Sequence, residues 1–424
     1  MRRTLIGLLA VWILCGAVQM PAQTTFATIT GMVTDPAGAA VPDVEITATH
    51  GASNYRYTAK TNEAGYYTLA QLREGEYVLS AKSAGFKVYV ATGIGLASRD
   101  VRRLDVKLEV GAVETRVEVT ADVALIETET ARVGGTRKHS TLISLPMNTT
   151  SAWTLFGLTP GVLLSGDGNF TVKMNGSGAN QYTMAIDGVT MMDGTSGQNN
   201  IGPSAPRNET IEEFRIDTTN NSAEYSGVGQ INFISKSGAN QLHGAAYDYY
   251  STPVFRARNP FAPARGTGIS HAPGFHFGGP IVIPKILDGR NKTFYFLALE
   301  TTAGSASQQL LNPTVPLASW RAGDFSRLAP GTPIRDPFGG GAVFPGNRIP
   351  TSRLNPVALF LQDRFYPLPN SADTSVLQSQ NYREQKIRAF VPNTFMSGRI
   401  DQRVTEKFTF YVRYQWQRQH SRQF

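Results

Sequence analysis

Hydrophobic and polar positions alternate most cleanly near the end of the chain. Phe408, Phe410, Val412, Tyr414 and Trp416 interleave with Lys407, Thr409, Tyr411, Arg413, Gln415 and Gln417. One face is apolar and aromatic-rich; the other is polar, with Tyr411 as its only ring. A period of two with faces this different predicts a strand between two unlike environments. In a soluble sandwich the apolar face meets a second sheet. In an outer-membrane barrel it meets lipid, the polar face meets a wet lumen, and about 9–11 residues cross the bilayer. Shorter runs repeat the pattern upstream. Val44, Ile46 and Ala48 oppose Glu45, Thr47 and Thr49, and Phe294, Phe296 and Ala298 share one face. Between Thr28 and Leu108 the turns Asp35-Pro36-Ala37-Gly38, Asn62-Glu63-Ala64-Gly65, Arg73-Glu74-Gly75 and Ala84-Gly85 punctuate short strands. Regular spacing of this kind predicts a β-sandwich of about seven strands.

The chain opens differently. Met1-Arg2-Arg3 and the apolar run Leu5 to Val18 read as a secretion signal, cleaved after Ala22 or Gln23. The only cysteine, Cys15, lies within it, so the exported protein has neither thiol nor disulfide. Charged residues make up 17% of the chain, too few for a disordered polyelectrolyte. The net charge is +8, and from Asn381 onward nine Arg/Lys face three Asp/Glu. On an exported chain such basic groups line a lumen, sit in turns or meet anionic headgroups; nucleic acid is not an expected partner.

The spaced motifs Gly31-x-Val33-x-Asp35-x-x-Gly38-x-x-Val41-Pro42, Thr61-Asn62-x-x-Gly65-x-Tyr67, Leu72-x-x-Gly75-x-Tyr77 and Gly85-Phe86 resemble the carboxypeptidase-regulatory-like domain, a carbohydrate-binding-like sandwich. The resemblance implies structural roles: glycines for turns, Tyr and Phe for the core. Carbohydrate binding follows only from the superfamily name. Next comes Glu114-Thr115-Arg116-Val117-Glu118-Val119-Thr120-Ala121, which resembles a TonB box. That resemblance implies coupling to a TonB-type inner-membrane energy transducer by strand addition, through Glu114, Thr115, Val117, Val119, Thr120 and Ala121. The same residues would also serve as a last sandwich strand or a linker.

From Ala131 to Asn240 the chain is rich in Gly, Asn and Thr. Short helical pieces over Thr141–Pro146 and Thr150–Leu155 precede the strings Ile186-Asp187-Gly188, Glu213-Phe214-Arg215, Ser222-Ala223-Glu224-Tyr225 and Lys236-Ser237-Gly238-Ala239-Asn240. Their order resembles the plug of TonB-dependent receptors, in the wording of the Oar-like branch. Asp187-Gly188 itself reads as a turn. A first barrel strand is expected over Leu242–Thr252. His276 to Pro284, Asp288 to Phe296, and Phe344 to Pro350 again resemble Oar-like strings, with a final hairpin from Ser397 past Phe408.

The reading is therefore mainly β: a signal over 1–23, a sandwich over 24–110, and a linker with the box over 111–130. A mixed α/β plug follows over 131–240, and an incomplete antiparallel transmembrane barrel with long loops over 241–424. The family resemblance implies a barrel of 22 strands, which needs on the order of 300–450 residues. Only 184 follow Asn240 (424 − 240), so the sequence reads as a receptor truncated within its barrel. What the resemblance implies is ligand binding and energised transport across the outer membrane, with outer-membrane lipid and an unidentified extracellular ligand, carbohydrate among the candidates, as partners. A periplasmic or surface binding module without transport is the alternative. None of His50, His139, His243, His271, His276 and His420 falls in zinc-peptidase spacing, and P-loop and nucleophile-elbow motifs are absent. No enzyme activity, metal or cofactor is expected.

Overall fold

The computed structural model describes residues 25–419 apart from 112–115, 121–130, 146–155, 165–171, 179–180, 192–205, 222–226, 256, 259–264, 266–267, 305–306, 312, 329–330, 371–379, 389–391 and 407. The signal segment, the helical piece at Thr150–Leu155 and the Ser222–Tyr225 string lie outside the described residues. The chain forms two units: 1–249 with 272–302 and 393–419, and 250–271 with 303–392 and 420–424.

The first unit begins with the sandwich. Its strands are β1 (Ala27–Thr34), β2 (Glu45–His50), β3 (Arg56–Lys60), β4 (Tyr66–Leu72), β5 (Gly75–Lys82), β6 (Val88–Leu96), β7 (Val101–Arg103), β8 (Val106–Lys107) and β9 (Arg116–Thr120). One sheet runs β4-β1-β7, with β8 also on β1; the other runs β3-β2-β5-β6-β9. Nine segments thus stand where about seven were expected. The surplus arises because Val101 to Lys107 breaks into two short pieces along β1 and because β9 extends the second sheet. Alternation along β1 buries Ala27, Ile29 and Val33 against Ile46, Leu79 and Tyr77 of the facing sheet. Gly65, Gly75 and Gly85 occupy turns at positive φ, as the motif implies, but Gly31 does not. A Cβ at Gly31 would run into the Leu104 carbonyl, so this glycine serves close packing rather than a turn.

The plug-like segment contributes β10 (Val133–Lys138), α1 (His139–Ser144), β11 (Val162–Leu164), β12 (Val172–Met174), β13 (Tyr182–Ile186), β14 (Val189–Thr190), β15 (Ile211–Thr219) and β16 (Gly229–Ser235). Its main sheet has the order β10-β15-β16-β13-β14, with β13 parallel to β16. Phe156, Phe214 and Phe233 form its apolar centre, with ring centroids 5.8–5.9 Å apart. Asp187 and Gly188 both take positive φ, so two left-handed residues close the β13–β14 hairpin.

The chain then makes an antiparallel meander. β17 (His243–Asp248) pairs β19 (Pro273–Pro280), β19 pairs β22 (Thr293–Gly304), β22 pairs β25 (Asn393–Arg403), and β25 pairs β26 (Thr409–Gln419). Ser270–His271 (β18) belongs to the second unit, and Val282–Ile283 (β20) and Leu287–Asp288 (β21) form a small hairpin between β19 and β22. Register aligns the outward side chains in rows. Phe275, Leu299, Met396 and Trp416 lie abreast, as do Tyr295, Ile400 and Val412. The rows between them point the other way: Phe296 beside Arg399 and Arg413, and Phe294 beside Asp401 and Tyr411. Strand β22 buries Phe294, Phe296 and Ala298, while Leu297 is exposed. No described helix is long and apolar enough to cross a membrane.

In the second unit, Ser307–Leu311 (β23) pairs with Glu384–Arg388 (β24). Two helices, α2 (Ala318–Arg321) and α3 (Pro356–Phe365), belong to the same unit. Asn355 caps α3 by accepting from the Val357 N–H at 2.9 Å, and Pro356 enters its first turn.

Candidate functional site

The polar face of the meander carries charge where a soluble core would carry methyls. Arg399 on β25 and Arg413 on β26 converge on Asp187 of the β13–β14 hairpin. Arg399 Nη1 lies 3.2 Å from Asp187 Oδ1, and Arg413 Nε lies 3.1 Å from Oδ2. The carboxylate also accepts from the Ser235 N–H at 2.8 Å and the Ser235 hydroxyl at 2.7 Å. Tyr411 donates its hydroxyl to the Asp187 carbonyl at 2.5 Å, and its ring lies under the Arg399 guanidinium at 4.5 Å. The arrangement is possible because Arg399, Asp401, Tyr411 and Arg413 share the inward side of two paired strands. The two left-handed residues of the hairpin present Asp187 to all of them.

The chain of charges continues into the sandwich. Asp401 accepts from Arg399 at 2.9 Å and from Arg73 at 3.0 Å, and Arg73 sits in the turn between β4 and β5. Around it, sandwich loops meet the short turns of the meander. Asn54 donates to Asn291 at 3.0 Å, Tyr55 donates to the Lys292 carbonyl at 3.2 Å, and Arg403 stacks on Tyr55 at 4.7 Å. Each buried charge here has an opposite charge and hydrogen bonds, the condition for tolerating such groups away from water.

A second junction joins the sandwich to the sheet of β10, β15, β16, β13 and β14. The loop Ser98-Arg99-Asp100 runs against β15. Arg99 pairs with Asp217 at 3.0 Å, and Arg215 bridges Asp217 at 2.7 Å and Asp100 at 3.0 Å. Glu213 accepts from the Ser98 N–H. Burial pushes the Glu213 carboxyl up to about 8, reinforced by the nearby charge of Glu74 and opposed by that N–H. Burial likewise raises Glu74 above the ordinary carboxylate value. Both carboxylates line a cavity of about 550 Å³ with His50, Arg73, Lys138 and Glu212. Burial, followed by the charge of Arg73, lowers the His50 imidazole to about 4.

Of the coupling residues expected from the sequence, Val117, Val119 and Thr120 lie on β9. That strand runs parallel to β6, with Tyr89 opposite Val117, Ala91 opposite Val119 and Thr92 opposite Thr120. Among the described residues β9 is last in its sheet, with β6 on one side only. Glu114, Thr115 and Ala121 lie outside the described residues. None of the junction residues Arg73, Arg399, Asp401 and Arg413 was singled out from the sequence, and Asp187 was read only as a turn. The available signal was the arginines on the polar face of an otherwise apolar-faced hairpin.

The comparisons agree with this architecture. The family profile described as "Outer membrane beta barrel domain" matches residues 234–424, and that described as "Carboxypeptidase regulatory-like domain" matches residues 28–109. A curated relative, the TonB-dependent transporter Oar of Myxococcus xanthus, is 25% identical over 262 residues, covering 58% of this chain and 24% of its own length. The chain thus spans about a quarter of the relative it matches. Among solved structures, a ferric enterobactin receptor of Pseudomonas aeruginosa aligns at TM-score 0.38 and 16% identity, over 68% of this chain and 32% of that one. A siderophore receptor of Acinetobacter baumannii aligns at TM-score 0.37 and 17% identity, over 68% and 31%. Residues 234–424 are thus similar to an outer-membrane β-barrel domain, with a carboxypeptidase regulatory-like domain ahead of them over 28–109. Over 58% of its length the chain is similar to the TonB-dependent transporter Oar.

Proposed function

We propose that the chain serves an energised outer-membrane receptor, in which the plug is the moving part and Glu114 to Ala121 is the coupling segment. A ligand bound by the long loops shifts the plug. A TonB-type inner-membrane transducer then engages the segment by main-chain strand addition and pulls. The observation that carries this reading is the Asp187 clamp. At this clamp the plug is held to β25 and β26 through charged and hydrogen-bonding groups, an attachment that can be broken and remade. The place of β9 at the edge of its sheet among the described residues supports the coupling role, because an edge strand accepts another strand.

The test is Val119→Pro in the receptor expressed at the cell surface. Proline removes a ladder donor, so the variant is expected to lose binding of the transducer's periplasmic domain and energised uptake while keeping ligand binding. Unchanged capture of that domain would remove this segment from the mechanism.

A further inference from the structure

A second attachment of the plug to the wall, away from Asp187, is built from imidazoles. Lys236, just past β16, donates to Nε2 of His139 at 3.0 Å and to Nε2 of His276 at 3.5 Å. His139 opens α1 of the plug; His276 points inward from β19. To accept from an ammonium, each ring must be neutral with its proton on Nδ1. Glu209, in the short turn before β15, is the central carboxylate. Its Oε2 lies 3.5 Å from His139 Nε2, 3.6 Å from His276 Nδ1 and 3.9 Å from Lys236 Nζ, and its Oε1 accepts from Tyr249 at 2.5 Å. The neighbouring Glu300 of β22 is already engaged by Arg207 at 3.3 Å and Tyr247 at 3.3 Å. The charges of Glu212 and His243 act on the cluster from its margin. His276, Glu209 and Lys236 are all buried, and Phe296 and Tyr247 flank the His276 ring.

One ammonium and one carboxylate balance while both rings are neutral. A proton on either ring replaces the lone pair that receives Lys236 with an N–H, and adds a second buried cation against the single carboxylate of Glu209. The clamp at Asp187 contains no imidazole. We propose that the Lys236–His139–His276–Glu209 cluster is a proton-operated clasp, which holds the α1 side of the plug to β19 and to Tyr249 at neutral pH and releases that side in mild acid while the Asp187 side stays attached. The sign agrees with the surroundings of His139. Burial first, then the charge of Lys236, lowers its imidazole below the ordinary value. Its neutral form therefore favours the docked state, and that contribution is lost as pH falls below about 6.5.

The experiment measures distances between pairs of spin labels on the signal-free chain, which has no cysteine of its own, reconstituted in lipid. One pair, Ile143→Cys with Phe275→Cys, spans the clasp; the other, Val189→Cys with Val412→Cys, spans the clamp. All four positions have exposed side chains. Between about pH 7.5 and about pH 5, the range in which histidine titrates, the clasp pair is expected to lose its short-distance population reversibly while the clamp pair holds. In H139Q/H276Q, which cannot titrate, the clasp pair is expected to stop responding to pH. If the double variant does not fold, H139Q alone is expected to shift the response to lower pH. A wild-type clasp pair unmoved by acid, both pairs moving together, or a response unchanged in the variants would overturn the proposal.

Discussion

Arg399 reaches across from the membrane-strand hairpin to Asp187 at 3.2 Å, and the same guanidinium grips Asp401 at 2.9 Å. One side chain therefore ties the β13–β14 hairpin to β25 and, through Asp401 and Arg73, to the sandwich. Asp187→Asn leaves Arg399 and Arg413 facing a neutral amide. Removing one partner from a buried pair typically costs about 3–5 kcal/mol. The variant is expected to lower the denaturant midpoint for plug release, followed by protease cleavage of the plug, while leaving the sandwich intact. An unchanged midpoint would mean that the clamp contributes little to docking.

The outward rows of the meander predict sensitivity by side. Ile400 faces out between Tyr295 and Val412. If this face meets lipid, Ile400→Arg places a charge in it at a cost of about 2–4 kcal/mol near the midplane. Reduced membrane insertion on refolding into vesicles is expected. Ser397→Thr, a small change on the inward face, is expected to insert normally.

Within the sandwich, Gly31→Ala is expected to be severe although φ is unremarkable, because the new methyl overlaps the Leu104 carbonyl and the Tyr67 ring. β1 must move away from the Val101–Lys107 crossing. Loss of cooperative thermal unfolding of the sandwich would show this, and a wild-type transition would contradict the close approach.

Glu213 makes stability pH-dependent in the alkaline direction. Its folded value of about 8 lies above the ordinary 4.5, so the folded state holds the proton more tightly. The contribution is present below the ordinary carboxylate range and is lost as pH rises toward the folded value. Glu213→Gln is expected to flatten the fall in unfolding midpoint between about pH 5 and about pH 9. A decline that persists in the variant would assign it to another group.

Much of this architecture was legible because alternation and turn chemistry are local. β26 falls where Phe408 to Gln417 alternate, β22 buries Phe294, Phe296 and Ala298 together, and the sandwich turns fall on their glycines. The charged junctions were not legible. Nothing local distinguishes Arg399 or Arg413 from any lumen arginine. Their meaning depends on Asp187, about two hundred positions away in sequence, being carried to them by the hairpin that its own Asp-Gly turn creates. His276 likewise falls in no motif spacing with the other histidines, yet its ring faces His139 and Lys236, distant in sequence.

The measurement that tests the account most directly is fluorescence quenching of Trp416 by brominated lipid. Trp416 lies in the outward row with Met396, Leu299 and Phe275 and is 40% exposed. If this face is the lipid face, bromine in the acyl chains quenches a component of the emission that disappears in Trp416→Phe, and the chain resists extraction by urea. If Trp416→Phe leaves quenching unchanged and urea releases the chain, the meander is not a membrane wall. The protein would then be a periplasmic binding module without transport.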